Sequence, residues 1–240
     1  MQDFVSCGKC DNGYVYNENY TKVTRCSCLT KFLYNKILEL ELKKAHIPLS
    51  VMDYSIDNYI GIQSFFEVEK IYSYVHKFKE KFSSICLYMY GPNGTQKTTL
   101  AQWIGRELIK KGISVFYTYM DTLLKKKMKE GWEYDSEILM YLRLIESVDC
   151  LILDESFDKD KITWYASDYQ MSFLDNFLRN RIERQNKPII FISNKEISSI
   201  KANFNNSIYD LIRRNMKNTV LYFQDSYTLQ DDFNPKELWM

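Results

Sequence analysis

From about residue 60 onward the chain alternates between two patterns. Short runs of adjacent apolar residues, "SICLYMY", "SVFYTY", "CLILDE", "PIIFISN" and "TVLYFQ", are separated by stretches in which apolar residues recur every third or fourth position. A short unbroken run fits a strand buried on both faces, and a recurrence near 3.6 residues fits a helix with one buried side. The helical stretches are "SFFEVEKIYSYVHKFKEKF", "TTLAQWIGRELIKKG", "DTLLKKKMKE", "SEILMYLRLIES", "SDYQMSFLDNFLRNRIER" and "SIYDLIRRN". Strands alternating with helices predict an α/β fold around a buried parallel sheet.

The beginning of the chain reads differently. Asp11-Asn12-Gly13 is a turn signal, and Tyr14-Val15-Tyr16 and Lys22-Val23-Thr24 have strand character, which predicts a small hairpin. A helical pattern follows over residues 30–45, and Pro48 ends it. The expected organisation is therefore a module and helix over residues 1–48 and an α/β domain over residues 49–240.

The hairpin carries chemistry. Four of the six cysteines lie in it, as the pairs Cys7/Cys10 and Cys26/Cys28. Two cysteine pairs brought together by a hairpin suit tetrahedral Zn²⁺, and the C-x-C pair is one residue tighter than the usual ribbon spacing. So short a segment buries too little apolar surface to fold unaided, so zinc would supply folding energy. Cys86 and Cys150 fall inside predicted strands and read as small buried hydrophobes. His46 and His76 lie on helical stretches and receive no role.

Composition narrows the picture only a little. The formal net charge of the 240 residues is +1, so any polyanion must be held by a local patch. No apolar run is long enough to span a bilayer, and no signal peptide is visible. The expectation is a cytoplasmic protein with reduced thiols and no membrane partner.

The stretch Gly91, Pro92, Asn93, Gly94, Thr95, Gln96, Lys97, Thr98, Thr99 follows the first sheet strand and opens a helix. It matches a phosphate-binding loop except that Gln96 stands where the second motif glycine belongs. In such a loop Lys97 would reach the β- and γ-phosphates of ATP, and the Thr98 hydroxyl would ligate Mg²⁺. "CLILDE" then ends in two carboxylates, Asp154 to hold Mg²⁺ through water and Glu155 as general base. "FISN" ends in Asn194, placed to orient the attacking water. If position 96 is left-handed, a side chain there costs roughly 1–2 kcal/mol. That weakens nucleotide binding worth about 8 kcal/mol without abolishing it.

Together, "IPLSVMDYSIDNY", the loop with its helix and "SVFYTYMDTLL", "VDCLILDESFD", "RNRIERQNKPIIFISN" and "SIYDLIRRN" resemble the DnaC/DnaI-type helicase loaders, AAA+ ATPases related to the transposition helper IstB. The resemblance runs over roughly residues 45–227. It implies an AAA+ P-loop ATPase preceded by a zinc-ribbon-like module, with Lys97 and Thr98 in Walker A, Asp154 and Glu155 in Walker B, and Asn194 as sensor 1. Arg213 or Arg214 matches the arginine finger, which acts on a neighbour's ATP and so implies self-association. The implied partners are a replicative hexameric helicase of DnaB/DnaC type and single-stranded DNA, with the N-terminal region as the helicase contact. Three departures stand out: Gln96, an Asp-Glu pair where paired aspartates are common, and Thr228 where the sensor 2 arginine is expected.

Lys125, Lys126, Lys127 and Lys129, with Trp132 nearby, form the candidate patch for single-stranded DNA; a solvated helix face is the alternative. The implied activities are slow or partner-dependent ATP hydrolysis in helicase loading, a transposition helper, or an adaptor that holds the helicase without turnover.

Overall fold

The structure, a computed structural model, describes residues 4–59, 65–130, 135–158 and 168–224. The predicted hairpin is present as β1 (Tyr14–Tyr16) and β2 (Val23–Arg25), which pair antiparallel. The helix α1 (Ser27–Lys44) comes directly after it. Then come α2 (Phe65–His76), β3 (Leu87–Tyr90), α3 (Lys97–Lys110), β4 (Val115–Tyr119), α4 (Met120–Glu130), α5 (Ser136–Ser147) and β5 (Cys150–Asp154). The chain continues through α6 (Asp168–Arg179), β6 (Ile189–Ser193), α7 (Ser198–Asn203), α8 (Asn206–Arg214) and β7 (Val220–Tyr222). One π-helical turn extends α2 over Phe78–Phe82 and another extends α6 over Asn180–Arg184.

The five sheet strands run in the order β4–β5–β6–β3–β7, and every pairing is parallel. The predicted α/β architecture is therefore the observed one. Each strand is an apolar run because both faces are covered. Tyr88, Phe116, Leu151, Leu153 and Phe191 turn to the layer holding α4, α5, α6 and α8. Their alternates Met89, Val115, Ile152, Ile190 and Leu221 turn to the layer holding α2 and α3. This is the period of two expected of strand side chains.

The end of α1 joins the second layer. Leu38 and Leu42 are buried in the same cluster as Leu100, Ile104 and Leu108 of α3. Just beyond α1, the Ala45 carbonyl accepts the backbone N–H of Tyr117 at 2.8 Å. That bond covers part of the open side of β4, an edge strand whose unpaired groups would otherwise face water.

At the N-terminal end of the strands, Arg181 is 1% exposed. Its guanidinium donates to the carbonyls of Ile145 at 2.7 Å and Val148 at 3.0 Å. It thus places a cation at the C-terminal end of α5, where the helix dipole is negative.

Candidate nucleotide site

The site lies at the carboxyl ends of β3, β5 and β6, where parallel sheets collect their ligands. The loop after β3 begins at Gly91 with φ of +148°. A Cβ on Gly91 would collide with the carbonyl of Phe223, and the Phe223 N–H donates to the Tyr90 carbonyl at 2.8 Å. The glycine is required because the end of β7 closes against the loop.

Gln96 adopts φ 58°, ψ 18°, the left-handed region, immediately before α3. The side chain therefore carries the cost of roughly 1–2 kcal/mol that a motif glycine avoids. The geometry offers partial compensation, since the Tyr54 hydroxyl lies 3.4 Å from the Gln96 carboxamide oxygen. The segment bearing Tyr54 is in turn held by Arg106, which donates to the carbonyls of Met52 at 2.7 Å and Tyr54 at 2.8 Å. Helix α3 presents first-turn amides without intrahelical partners, the positive end of its dipole.

Lys97 is 5% exposed. Its ammonium donates to Gly91 O at 2.9 Å, Pro92 O at 2.6 Å and Thr95 Oγ1 at 3.0 Å. Burial pulls it down to about 8, against the opposing pull of the Asp154 charge.

Asp154 is also buried. Its Oδ2 accepts the Thr98 hydroxyl at 2.8 Å and the Tyr117 hydroxyl at 2.5 Å, and its Oδ1 accepts the Glu155 N–H at 2.7 Å. Glu155 has a φ of +50° and Phe157 one of +57°. Two features force this reversal: the Ser156 N–H donates to Ile192 O at 2.7 Å, and the Phe157 ring is fully buried among Phe191 and Phe204. The strained turn leaves Glu155 half-buried on the wall of the cleft.

The cleft holds about 490 Å³ and is lined by residues 93–98 of the loop, by Asp154 and Glu155, and by Ile192, Ser193 and Asn194. Asn194 comes from the end of β6, which lies between β3 and β5. Its carboxamide nitrogen is 3.4 Å from Asp158 Oδ2. The loop, both carboxylates and the asparagine thus face one space. Arg213 and Arg214 are exposed at the end of α8 and do not line the cleft. Thr228 and Trp132 lie outside the described residues.

Two residues at the site carry no sequence signal. Tyr117 reads as one more apolar letter of "SVFYTY", and Tyr54 lies in an irregular segment far from the loop in sequence.

Among the lysines of α4, Lys125 pairs with Asp121 at 2.6 Å. The Lys126 ammonium lies 4.8 Å from the centre of the Tyr141 ring, and that of Lys127 lies 5.2 Å from the Phe173 ring. Lys129 is exposed. Their charge remains on the surface, with three of the four side chains held by local contacts.

The four N-terminal cysteines converge. Their sulfurs all lie within 4.8 Å of one another, with Cys7–Cys10 at 3.8 Å, Cys7–Cys26 at 3.7 Å and Cys10–Cys28 at 3.4 Å. A tetrahedron of thiolates with Zn–S bonds of about 2.3 Å has edges of about 3.8 Å, so the donor set fits Zn²⁺. Gly13 allows this approach, because its φ is +90° and a Cβ would lie 2.7 Å from the Leu29 side chain.

A buried parallel sheet in which β6 separates the loop strand from the carboxylate strand, with these residues at one end, defines a P-loop ATPase fold of the AAA+ class. Within that class, the model of the IstB-like ATP-binding proteins matches residues 68–208. This is more than half of the chain, and the chain belongs to that family.

Solved structures agree in fold. The DnaC helicase loader superposes with a TM-score of 0.59 at 17% identity, over 73% of this chain and 99% of that one. DnaI gives 0.56 at 20% identity, over 74% and 92%. AMPPCP-bound DnaA from Aquifex aeolicus gives 0.56 at 19% identity, over 71% of this chain, which spans 50% of the DnaA chain. At these identities the likeness shows the fold alone. No curated protein sequence matches the chain.

Proposed function

We propose that this protein binds and hydrolyses Mg²⁺-ATP in the cleft and uses that cycle to place a replicative ring helicase on single-stranded DNA. The observation that carries the catalytic part is the convergence of Lys97, Thr98, Asp154, Glu155 and Asn194 on one cleft. In this reading Lys97 exchanges its contacts with Gly91, Pro92 and Thr95 for the β- and γ-phosphates. Thr98 and Asp154 hold Mg²⁺, which supplies charge neutralisation across those phosphates when bound. Asn194 orients the attacking water, and Glu155 takes its proton. Arg213 or Arg214, exposed and outside this cleft, serves the ATP of a neighbouring copy, so self-association accompanies turnover.

Helicase loading rests on the match of nearly the whole DnaC loader chain and on the N-terminal surface. Leu33, Ile37 and Leu40 of α1 are exposed at helical spacing, on a different side from buried Leu38 and Leu42. With Cys7, Cys10, Cys26 and Cys28 holding Zn²⁺, this surface is the assigned helicase contact. Single-stranded DNA is assigned to α4, led by Lys129. The family name favours a second reading, a transposition helper acting on duplex DNA. Co-purification with the replicative helicase under ATP, ADP or no nucleotide separates the two. Nucleotide-dependent capture supports loading; failure under every condition contradicts it.

The lysine also makes the site pH-dependent. Without nucleotide Lys97 sits at about 8, and phosphate charge raises it. Binding therefore takes up a proton above pH 8, and affinity is expected to fall as pH rises through that value. Calorimetry in buffers of different ionisation heat at pH 8.5 checks this; binding with no proton uptake would contradict it.

A further inference from the structure

The carboxylate assigned to Mg²⁺ has a second hydroxyl donor that no loop motif contains. Asp154 Oδ2 accepts from Thr98 at 2.8 Å and from Tyr117 at 2.5 Å. In the nucleotide reading the Thr98 hydroxyl is taken by the cation, and Tyr117 is the side-chain donor left to Asp154.

Tyr117 is built to stay in place. It is 5% exposed in the second apolar layer. Its strand pairs with β5 in a register that sets Tyr117 beside Ile152 and Tyr119 beside Asp154. On its open side its own N–H is bonded to Ala45 O at 2.8 Å. A phenol is uncharged at neutral pH and keeps its proton to donate. A neutral donor suits the position. It fixes one lone pair of the carboxylate and leaves the negative charge for the cation, whereas a lysine or arginine there would neutralise it.

We infer that Tyr117 is a positioning residue for the Mg²⁺ site, holding Asp154 in the orientation that receives the cation; this rests on the nucleotide reading of the cleft. The role predicts a specific defect. Removing the hydroxyl should weaken the response to Mg²⁺ and spare the contacts of the loop with phosphate.

The test measures the affinity of the full-length protein for a fluorescent ATP analogue in excess Mg²⁺ and in EDTA. Tyr117→Phe is expected to cut the affinity gained from Mg²⁺ about tenfold, the size of one lost hydrogen bond to a charged group. Affinity in EDTA should be unchanged. Tyr72→Phe, on an exposed position of α2 outside the cleft, should behave as wild type. In an Asp154→Asn background the Tyr117→Phe change should add nothing. An unchanged Mg²⁺ gain in Tyr117→Phe, or an equal loss in EDTA, overturns the inference while leaving the nucleotide site standing. No binding by the wild type overturns the nucleotide reading itself, and the inference with it.

A measurement without a variant covers the case in which Phe at 117 disturbs folding. In wild-type protein with Mg²⁺-ATP, the Tyr117 hydroxyl proton should appear in proton NMR as a slowly exchanging, downfield resonance. A hydroxyl in rapid exchange with water overturns the proposal.

Discussion

Glu155→Gln is expected to bind ATP as wild type does and to hydrolyse it about 10²–10⁴-fold more slowly, the usual worth of a positioned base. The two side chains have the same shape, and the turn that presents residue 155 has backbone and ring anchors of its own. That turn is held by the backbone bond from Ser156 to Ile192 and by the buried Phe157 ring. Lys97 is held by Gly91, Pro92 and Thr95, and Asp154 by Thr98 and Tyr117. Binding and chemistry should therefore separate cleanly. Nucleotide titration gives the first and single-turnover hydrolysis with single-stranded DNA gives the second. If turnover survives the change, Glu155 is not the base.

The second large effect is metal removal. All six residues of β1 and β2 are exposed, so the hairpin has no apolar core of its own. Bound zinc would tie it together through the four sulfurs, and structural zinc supplies apparent folding energy of about 10 kcal/mol or more at such sites. Chelation, or Cys26→Ser with Cys28→Ser, is expected to open residues 4–26 to proteolysis. The α/β domain should keep its cooperative melting, because the end of α1 is anchored independently by Leu38 and Leu42 against α3. Metal analysis of the purified protein should find one zinc per chain. A metal-free protein with the same protease resistance would contradict this.

These expectations draw on parts of the molecule that differ in how openly the sequence shows them. Strands buried on both faces have to be apolar throughout, which makes β3 to β7 readable as runs. Their order is not readable, because the crossover helices decide which strands meet. The loop, the carboxylates and Asn194 are legible because local spacing and position at strand ends carry their chemistry. Gln96 is legible as a departure, while its left-handed backbone and the nearby Tyr54 hydroxyl need the structure. Arg181 reads as one of several cations on a solvated helix face in "RNRIER", and the π-helical turn carries it inside to cap α5. Tyr117 is the sharpest case. Its hydroxyl acquires meaning only when the pairing of β4 with β5 brings it to Asp154, and no pattern along the chain encodes that meeting.

The roles assigned to the loop, Asp154, Glu155, Asn194 and Tyr117 all depend on the cleft between the loop and the end of β5 binding Mg²⁺-ATP through Lys97. Calorimetric titration of ATP with Mg²⁺ into wild type and Lys97→Ala at pH 7 tests this without any other assumption. Wild type should bind, and the variant should lose about 100-fold in affinity, as several charge-assisted phosphate contacts disappear. Equal affinity in the two proteins, or no binding by the wild type, would contradict it.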